Sequence, residues 1–243
     1  TLSRYAMLSS SLTEFFRNHI NAIVRREAGC EHFFLSAPRA DAGNVSIVYS
    51  GGDDLFIVGA WDEVLELGVD IYREFRKYTQ GKLTLSAGFG MFGKSYPVQQ
   101  MALQTGALED EAKLNAEKTK DSVALFGMIQ SDATDPRFAQ DVRHVYKWGE
   151  FIDGVCAEKL QLLQNSFTLE ENDKTRVSIG RGFLYHLLTL YRSRASGGDA
   201  INLARLAYLL ARREPGSKDL CYEKFLEAKK KLYAWAQNAE DSR

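Results

Sequence analysis

Two apolar runs of strand length, Val45-Ser46-Ile47-Val48-Tyr49 and Leu55-Phe56-Ile57-Val58, are separated by a segment containing Gly51-Gly52-Asp53-Asp54. β-Branched and aromatic residues fit a pleated, half-buried surface, and a glycine pair reaches the positive φ values that a tight hairpin turn requires. The segment is therefore predicted to be a β-hairpin that presents two adjacent carboxylates. Consecutive strand side chains point to opposite faces, so Asp53 and Asp54, read as following the turn, are expected on opposite sides of the ribbon unless the turn is twisted. Mg²⁺ is a hard octahedral ion that takes one or two carboxylates plus phosphate oxygens, which makes this acidic turn a candidate metal site if another strand adds a ligand. The bland alternative is a Gly-Gly-Asp turn with solvated acids.

The hairpin sits in an alternating order of elements. Leu8, Leu12, Phe15, Phe16, His19, Ile20 and Ile23 recur at helical spacing, which predicts one amphipathic helix over residues 2–26, closed by Gly29. A polar loop over 36–44 leads into the hairpin. A second helix is predicted from Asp62 to Tyr78, ended by Gly81, then a strand over Leu83–Gly90, a third helix from Val98 to Glu117, and a short strand from Ser122 to Phe126. The order helix, strand, strand, helix, strand, helix, strand is that of a ferredoxin-like palm without its first strand. In a βαββαβ sheet that strand is central, beside the strand that follows the hairpin, so its absence leaves two strand edges and an apolar face unpaired. A segment preceding Thr1 is expected to supply it, together with a further metal-binding carboxylate, and the chain alone is not expected to fold well.

Past Pro136 the strand signals nearly disappear. Phe138–Leu163, Ser178–Arg194, Ile201–Arg212 and Leu220–Ala236 read as helices, separated by Asn172-Asp173, Ser196-Gly197-Gly198-Asp199 and Pro215-Gly216. The expected fold class is α+β, with a palm over residues 1–136 and an all-α bundle over 137–243. A chain of 243 residues, 45% hydrophobic and 26% charged, can bury cores of this size. No stretch approaches the length of a membrane span, and Cys30, Cys156 and Cys221 have neither disulfide-framework nor zinc spacing, which fits a reducing cytoplasm. Lys and Arg against Asp and Glu leave −5 on residues 1–136 and +4 on residues 137–243. The basic half faces RNA or an acidic protein partner, or is an ordinary solvated surface.

Several segments together carry a family likeness: Leu2-Ser3-Arg4 with Leu8-Ser9 and Phe15-Phe16; Tyr49-Ser50-Gly51-Gly52-Asp53-Asp54; Pro97-Val98; Ala112-Lys113; Lys120-Asp121 before Phe126; and Arg181-Gly182-Phe183-Leu184-Tyr185. Over nearly its whole length the chain resembles the second palm and C-terminal helical domain of the large polymerase-like subunit of type III CRISPR effector complexes, in its Csm branch. The resemblance implies that ATP is joined through 3′–5′ linkages into cyclic oligoadenylate when the complex engages target RNA. It implies Mg²⁺ or Mn²⁺ on Asp53 and Asp54, with Gly51 and Gly52 letting the backbone approach the nucleotide. Ser9 stands at the family's nucleotide-contacting serine, and Lys113 and Lys120 flank the turn into the last strand, where an ammonium neutralises triphosphate charge. Arg4 reads as a first-turn residue, while His19 and the Phe15-Phe16 pair read as packing. The partners implied are the other Csm-type subunits, with the small subunit on the helical domain, guide and target RNA through the complex, and the preceding part of the same subunit.

Two rivals are weighed. Diguanylate cyclases share the palm, but their hairpin ends in Glu-Phe where Asp54-Leu55 stand here, their inhibitory Arg-x-x-Asp is replaced by Ala42 and Val45, and they lack a helical extension. The other rival is a catalytically silent scaffold, against which the intact Gly-Gly-Asp-Asp argues.

Overall fold

The computed structural model describes residues 2–27, 29, 32–33, 35, 43–118, 120–126, 144–170, 173–195 and 199–237. The expected domain boundary at 136/137, most of the polar loop over 36–44 and Cys30 lie outside the described residues. The chain divides into two compact units, one holding the described residues up to 126 together with Val145–Trp148, the other His144 and the described residues from Gly149 onward.

In the first unit, α1 (Leu2–Glu14), a π-helical turn (Phe15–His19) and α2 (Ile20–Val24) run as one helix, as the periodicity predicts. Phe15, Phe16, Ile20 and Ile23 on its inner face are buried against Leu67, Ile71 and Phe75 of α3 (Trp61–Tyr78). The hairpin strands β1 (Val45–Gly51) and β2 (Asp54–Gly59) add Val45, Ile47, Leu55 and Ile57 to this core. Asp62 and Glu63 in the first turn of α3, and Arg76 and Lys77 in its last, complement the helix dipole. A Schellman cap ends it: Gln80, at φ +52°, donates its N–H to the Lys77 carbonyl at 3.0 Å, and Gly81 N–H to the Arg76 carbonyl at 2.8 Å.

A second sheet follows, in the order β3 (Ala87–Phe89), β4 (Ser122–Leu125), β5 (Val145–Lys147). β3 and β4 are parallel and joined through α4 (Val98–Lys118), while β5 returns antiparallel to β4. Gly88 permits the close seating of α4 on β3, since a Cβ there would stand 2.5 Å from the Thr105 carbonyl and 2.6 Å from the Glu109 nitrogen. No hydrogen-bonded ladder joins this sheet to the hairpin among the described residues.

Two expectations are corrected here. The strand read over Leu83–Gly90 makes ladder bonds only at Ala87–Phe89; Leu83 and Leu85 instead pack against the helix core, and the Leu85 carbonyl accepts the Trp148 Nε1–H at 2.9 Å. Of the helix read over Phe138–Leu163, residues 138–143 lie outside the described residues; among the rest the helix begins at Trp148, because Val145–Lys147 completes the sheet and draws the fully buried Trp148 into the palm core. Burial of that indole outweighs local helix propensity.

The second unit is helix-rich. A π-helical segment (Glu150–Leu160) continues into α5 (Gln161–Ser166), followed by α6 (Arg181–Ala195), α7 (Asp199–Ala211) and α8 (Tyr222–Gln237). Phe183, Leu187 and Leu190, with Leu206 and Leu210, and with Phe225, Ala228, Leu232 and Trp235, recur at helical spacing and close one core. The only ladder among its described residues is the parallel pairing of β6 (Phe167–Thr168) with β7 (Val177–Ser178). Cys156 and Cys221 are buried, and neither is in a disulfide. Among the described residues no helix is long and apolar enough to cross a membrane.

Candidate functional site

The hairpin turn is displaced by one residue from the Gly51-Gly52 position that the sequence suggests. Gly51 pairs with Asp54, so the turn residues are Gly52 and Asp53, and Asp54 opens β2 rather than following a Gly-Gly turn. Gly52 has φ +65° and Asp53 is not in the left-handed region, the pattern of a II′ turn with glycine at its first central position. A Cβ on Gly52 would meet nothing within 4 Å, which leaves the backbone beside the carboxylates open. Both acids are exposed at the tip.

A β-bulge sets which faces the side chains take. Ile47 pairs with Ile57 but Tyr49 with Phe56, so Val48 is the extra residue on β1. Its insertion shifts the phase of the strand. Ser50, opposite Leu55, lies on the face that packs on the helix, whereas Tyr49 and Gly51 share the outer face with Phe56 and Asp54. The Tyr49 ring folds over Gly51, where an added Cβ would come within 2.9 Å of its hydroxyl. Ser50 Oγ donates to the Phe16 carbonyl at 2.5 Å.

The structure brings one of the expected lysines into the field of the turn. Lys113 on α4 donates to Glu109 Oε1 at 2.7 Å and lies 3.9 Å from Asp110. The Glu109 hydrogen bond above all, then the charges of Glu109, Asp110 and Asp54, hold its ammonium above the usual lysine range. Ser9 is exposed on α1 and lines a shallow groove with Ala6, Ser10, Thr13, Glu14, Arg17 and Asn18, while its carbonyl accepts from Thr13 Oγ. Lys120 is exposed before β4, in a left-handed pair with Asp121 at φ +57° and +54°. Among the described residues, no hydrogen bond or ion pair joins Ser9 or Lys120 to Asp53 or Asp54. His19 has the packing role expected of it, its ring 5.3 Å from Phe15 and its Nε2 3.6 Å from a Glu74 oxygen. Phe15 and Phe16 are core residues.

A ladder of buried acids on α3 escaped the sequence reading. Glu63, Glu66, Asp70 and Glu74 are all buried. Glu66 Oε1 accepts the Leu35 N–H at 2.8 Å, Asp70 Oδ1 accepts the Phe33 N–H at 2.6 Å, and Arg26 approaches Glu66 at 3.7 Å. These carboxylates bind the backbone that leads toward the hairpin. Burial pushes the Asp70 carboxyl up to about 7, against the Phe33 hydrogen bond and the charges of Arg73 and Arg26. The acids recur at spacings of three and four along the same helix, a signal hidden by attention to the apolar stripe.

As a donor set, the turn suits a hard cation only in part. Two exposed carboxylates at an open glycine turn match what Mg²⁺ takes from protein when phosphate oxygens complete its shell. Among the described residues no three His, Cys, Asp or Glu side chains gather to hold a metal unaided.

A hairpin bearing paired carboxylates is packed on two helices and followed along the chain by a helix-rich unit. Residues 1–124 match the family model of the Cas10/Cmr2 second palm domain, and residues 166–243 that of the second helical domain of the Cmr2 subunit of the CRISPR RNA silencing complex. The chain belongs to the Cas10/Cmr2 family, in its subtype III-A, Csm1 branch. It is 36% identical, over its full length, to 26% of the CRISPR system single-strand-specific deoxyribonuclease Cas10/Csm1 of Mycobacterium tuberculosis, and 35% identical to 27% of that of Streptococcus thermophilus. The chain thus spans about a quarter of the length of these curated relatives. Among solved structures, Csm1 of T. onnurineus superposes with a TM-score of 0.59 at 25% identity, over 94% of this chain and 34% of that one. A Csm1–Csm4 cassette in complex with cA4 gives 0.59 at 24% identity, over 93% of this chain and 32% of that one. These likenesses make the architecture a palm followed by a helical domain.

Proposed function

We propose that this chain forms part of an ATP-using nucleotidyltransferase that makes cyclic oligoadenylate, as the large subunit of a type III-A CRISPR effector complex switched on by target RNA. The observation that carries the reading is the Gly51-Gly52-Asp53-Asp54 tip, two exposed acids beside Gly52, whose Cβ position is open, with the Asp54 charge among those that act on Lys113. Related Csm1–Csm4 cassettes solved with ATP, AMPPNP and cA4 support nucleotide binding.

The residues divide the work. Asp53 and Asp54 hold Mg²⁺ or Mn²⁺, which when bound lowers the barrier to attack by a ribose 3′-hydroxyl and steadies the departing pyrophosphate. Gly52 admits the triphosphate to the backbone without a Cβ clash, and Gly51 does so once the Tyr49 ring moves aside. Lys113 and Lys120 neutralise phosphate charge as point donors, and the Ser9 hydroxyl donates to the nucleotide.

The palm is read as ferredoxin-like. The outer edges of β2 and β3 both lack a ladder partner among the described residues, which supports insertion of a strand from outside this chain between them. That segment also brings a further carboxylate. The helical domain docks the small subunit, guide and target RNA reach the site through the complex, and the assembly works in the cytoplasm. Csm1–Csm4 pairing in the solved relatives supports partnership with Csm subunits.

The test is to assemble the complete subunit into its RNA-guided complex, supply ATP, Mg²⁺ and target RNA, and weigh the products. Cyclic oligoadenylate from the wild type, lost in an Asp53→Ala/Asp54→Ala variant, is expected. No oligoadenylate, or equal amounts from both, overturns the assignment; cyclic diguanylate from GTP establishes the rival cyclase.

A further inference from the structure

The inner face of the hairpin is apolar at Val45, Ile47, Leu55 and Ile57, with one hydroxyl set among them at Ser50. A hydroxyl on such a face is costly unless it is hydrogen-bonded. Ser50 meets that condition through the Phe16 carbonyl, at 2.5 Å. The residue reaches this face only because the bulge at Val48 shifts the strand phase; in an unbroken alternation position 50 would face outward.

The acceptor is equally particular. Phe16 lies in the π-helical turn Phe15–His19, and π turns inside α-helices are rare and concentrate at functional sites. Phe15, Phe16 and Ile20 around it are at most 3% exposed, so the carbonyl is held by the core. Ser50 directly precedes Gly51, and the π turn continues α1, which carries Ser9. One hydrogen bond thus links the carboxylate turn to the helix of the expected nucleotide contact.

We propose that Ser50 is a positioning residue: its bond to the Phe16 carbonyl fixes the Gly51-Gly52-Asp53-Asp54 turn in register with the helix that carries Ser9. This rests on the nucleotidyltransferase reading above. Without the bond, what holds the hairpin against this helix among the described residues is apolar contact, which does not fix register along the strand. The carboxylates then sample positions off the productive one, and misplacement by about 1 Å can cost on the order of a hundredfold in rate.

The experiment uses the complete subunit in its assembled complex with target RNA, as wild type, Ser50→Ala and Ser50→Thr. The Thr variant keeps the hydroxyl and suits a strand. Ser50→Ala is expected to lower kcat for oligoadenylate formation at least about tenfold, within the range a displaced reacting group produces, with KM for ATP little changed; Ser50→Thr restores it. Mn²⁺ binding with ATP present, followed by electron paramagnetic resonance, gives a readout independent of turnover: Ser50→Ala is expected to weaken it and Ser50→Thr to keep it. An Ala variant equal to wild type in both rate and Mn²⁺ affinity overturns the positioning role while leaving the cyclase reading standing. Equal loss in both variants with a lowered Tm assigns Ser50 to packing and also overturns it. A wild-type complex that makes no oligoadenylate overturns the function, and the Mn²⁺ comparison then decides the inference alone.

Discussion

The Trp148 indole lies flat on the Tyr72 ring, 4.8 Å between centroids and 14° from parallel, and donates its Nε1–H to the Leu85 carbonyl. This pins the residue after β5 to α3 and to the approach to β3, so the palm unit includes Val145–Trp148 as well as the residues up to 126.

Replacing Trp148 with Ala is expected to cost about 3–5 kcal/mol, the range for emptying a buried aromatic site. Trp148→Phe keeps the stack but leaves the Leu85 carbonyl without its indole donor, and should cost less. Denaturant unfolding of the complete subunit distinguishes them; equal stability of Trp148→Ala and wild type would contradict the role.

Gly88→Ala tests the seating of α4. The added methyl would stand 2.5–2.8 Å from Thr105, Glu109 and Leu108, two of these contacts being to helix backbone that cannot yield alone. Overpacking of about 1–3 kcal/mol is expected. Gly93→Ala, where a Cβ meets nothing within 4 Å, is the control and should leave Tm nearly unchanged.

Asp70 makes stability depend on pH in a defined direction. Its carboxyl, raised by burial from 3.8 to about 7, binds a proton more tightly folded than unfolded. The stabilisation is full below pH 3.8, declines as pH rises toward 7, and is gone above it. Arg73, Arg26, Glu66 and the Phe33 N–H bear on the group, and His32 Nδ1 stands 3.7 Å away. Asp70→Asn still offers the Phe33 N–H an acceptor but cannot titrate. Tm measured from pH 5 to 8 should fall less for the variant than for wild type, and parallel curves would refute the assignment.

Lys113 is bonded to Glu109 and feels the charge of Asp54. In the assembled complex Lys113→Gln is expected to raise KM for ATP roughly tenfold, as loss of a hydrogen bond to a charged group worth about 1.5 kcal/mol would. Glu109→Gln frees the ammonium and should lower KM. Steady-state kinetics on both variants checks the pair, and an unchanged KM in Lys113→Gln would remove the lysine from phosphate binding.

The hairpin was legible because its signals are local: β-branched runs flanking glycines define two strands and a turn without reference to the rest of the chain. The first helix, α3 and α4 were legible through their apolar period, and the buried Phe15-Phe16 pair with it. The bulge at Val48 was not, since nothing in Ile47-Val48-Tyr49 marks which residue lacks a partner; the pairing with β2 and the core beneath it make that choice. Nor was β5, three residues whose pairing depends on an edge that β4 supplies from elsewhere in the chain.

By itself the sequence determined the presence of the hairpin and its two acids, the helical character of the C-terminal portion and the family to which both belong, because these reside in residue types and spacings along one stretch of chain. The tertiary structure decided that Gly52 and Asp53 make the turn, that Ser50 faces the π turn, and that Lys113 shares a field with Asp54. It also decided that four acids of α3 are buried, and that two of them, Glu66 and Asp70, accept the N–H groups of Leu35 and Phe33. Those choices depend on strand phase, burial and through-space charge, which arise only when segments far apart in sequence are packed together.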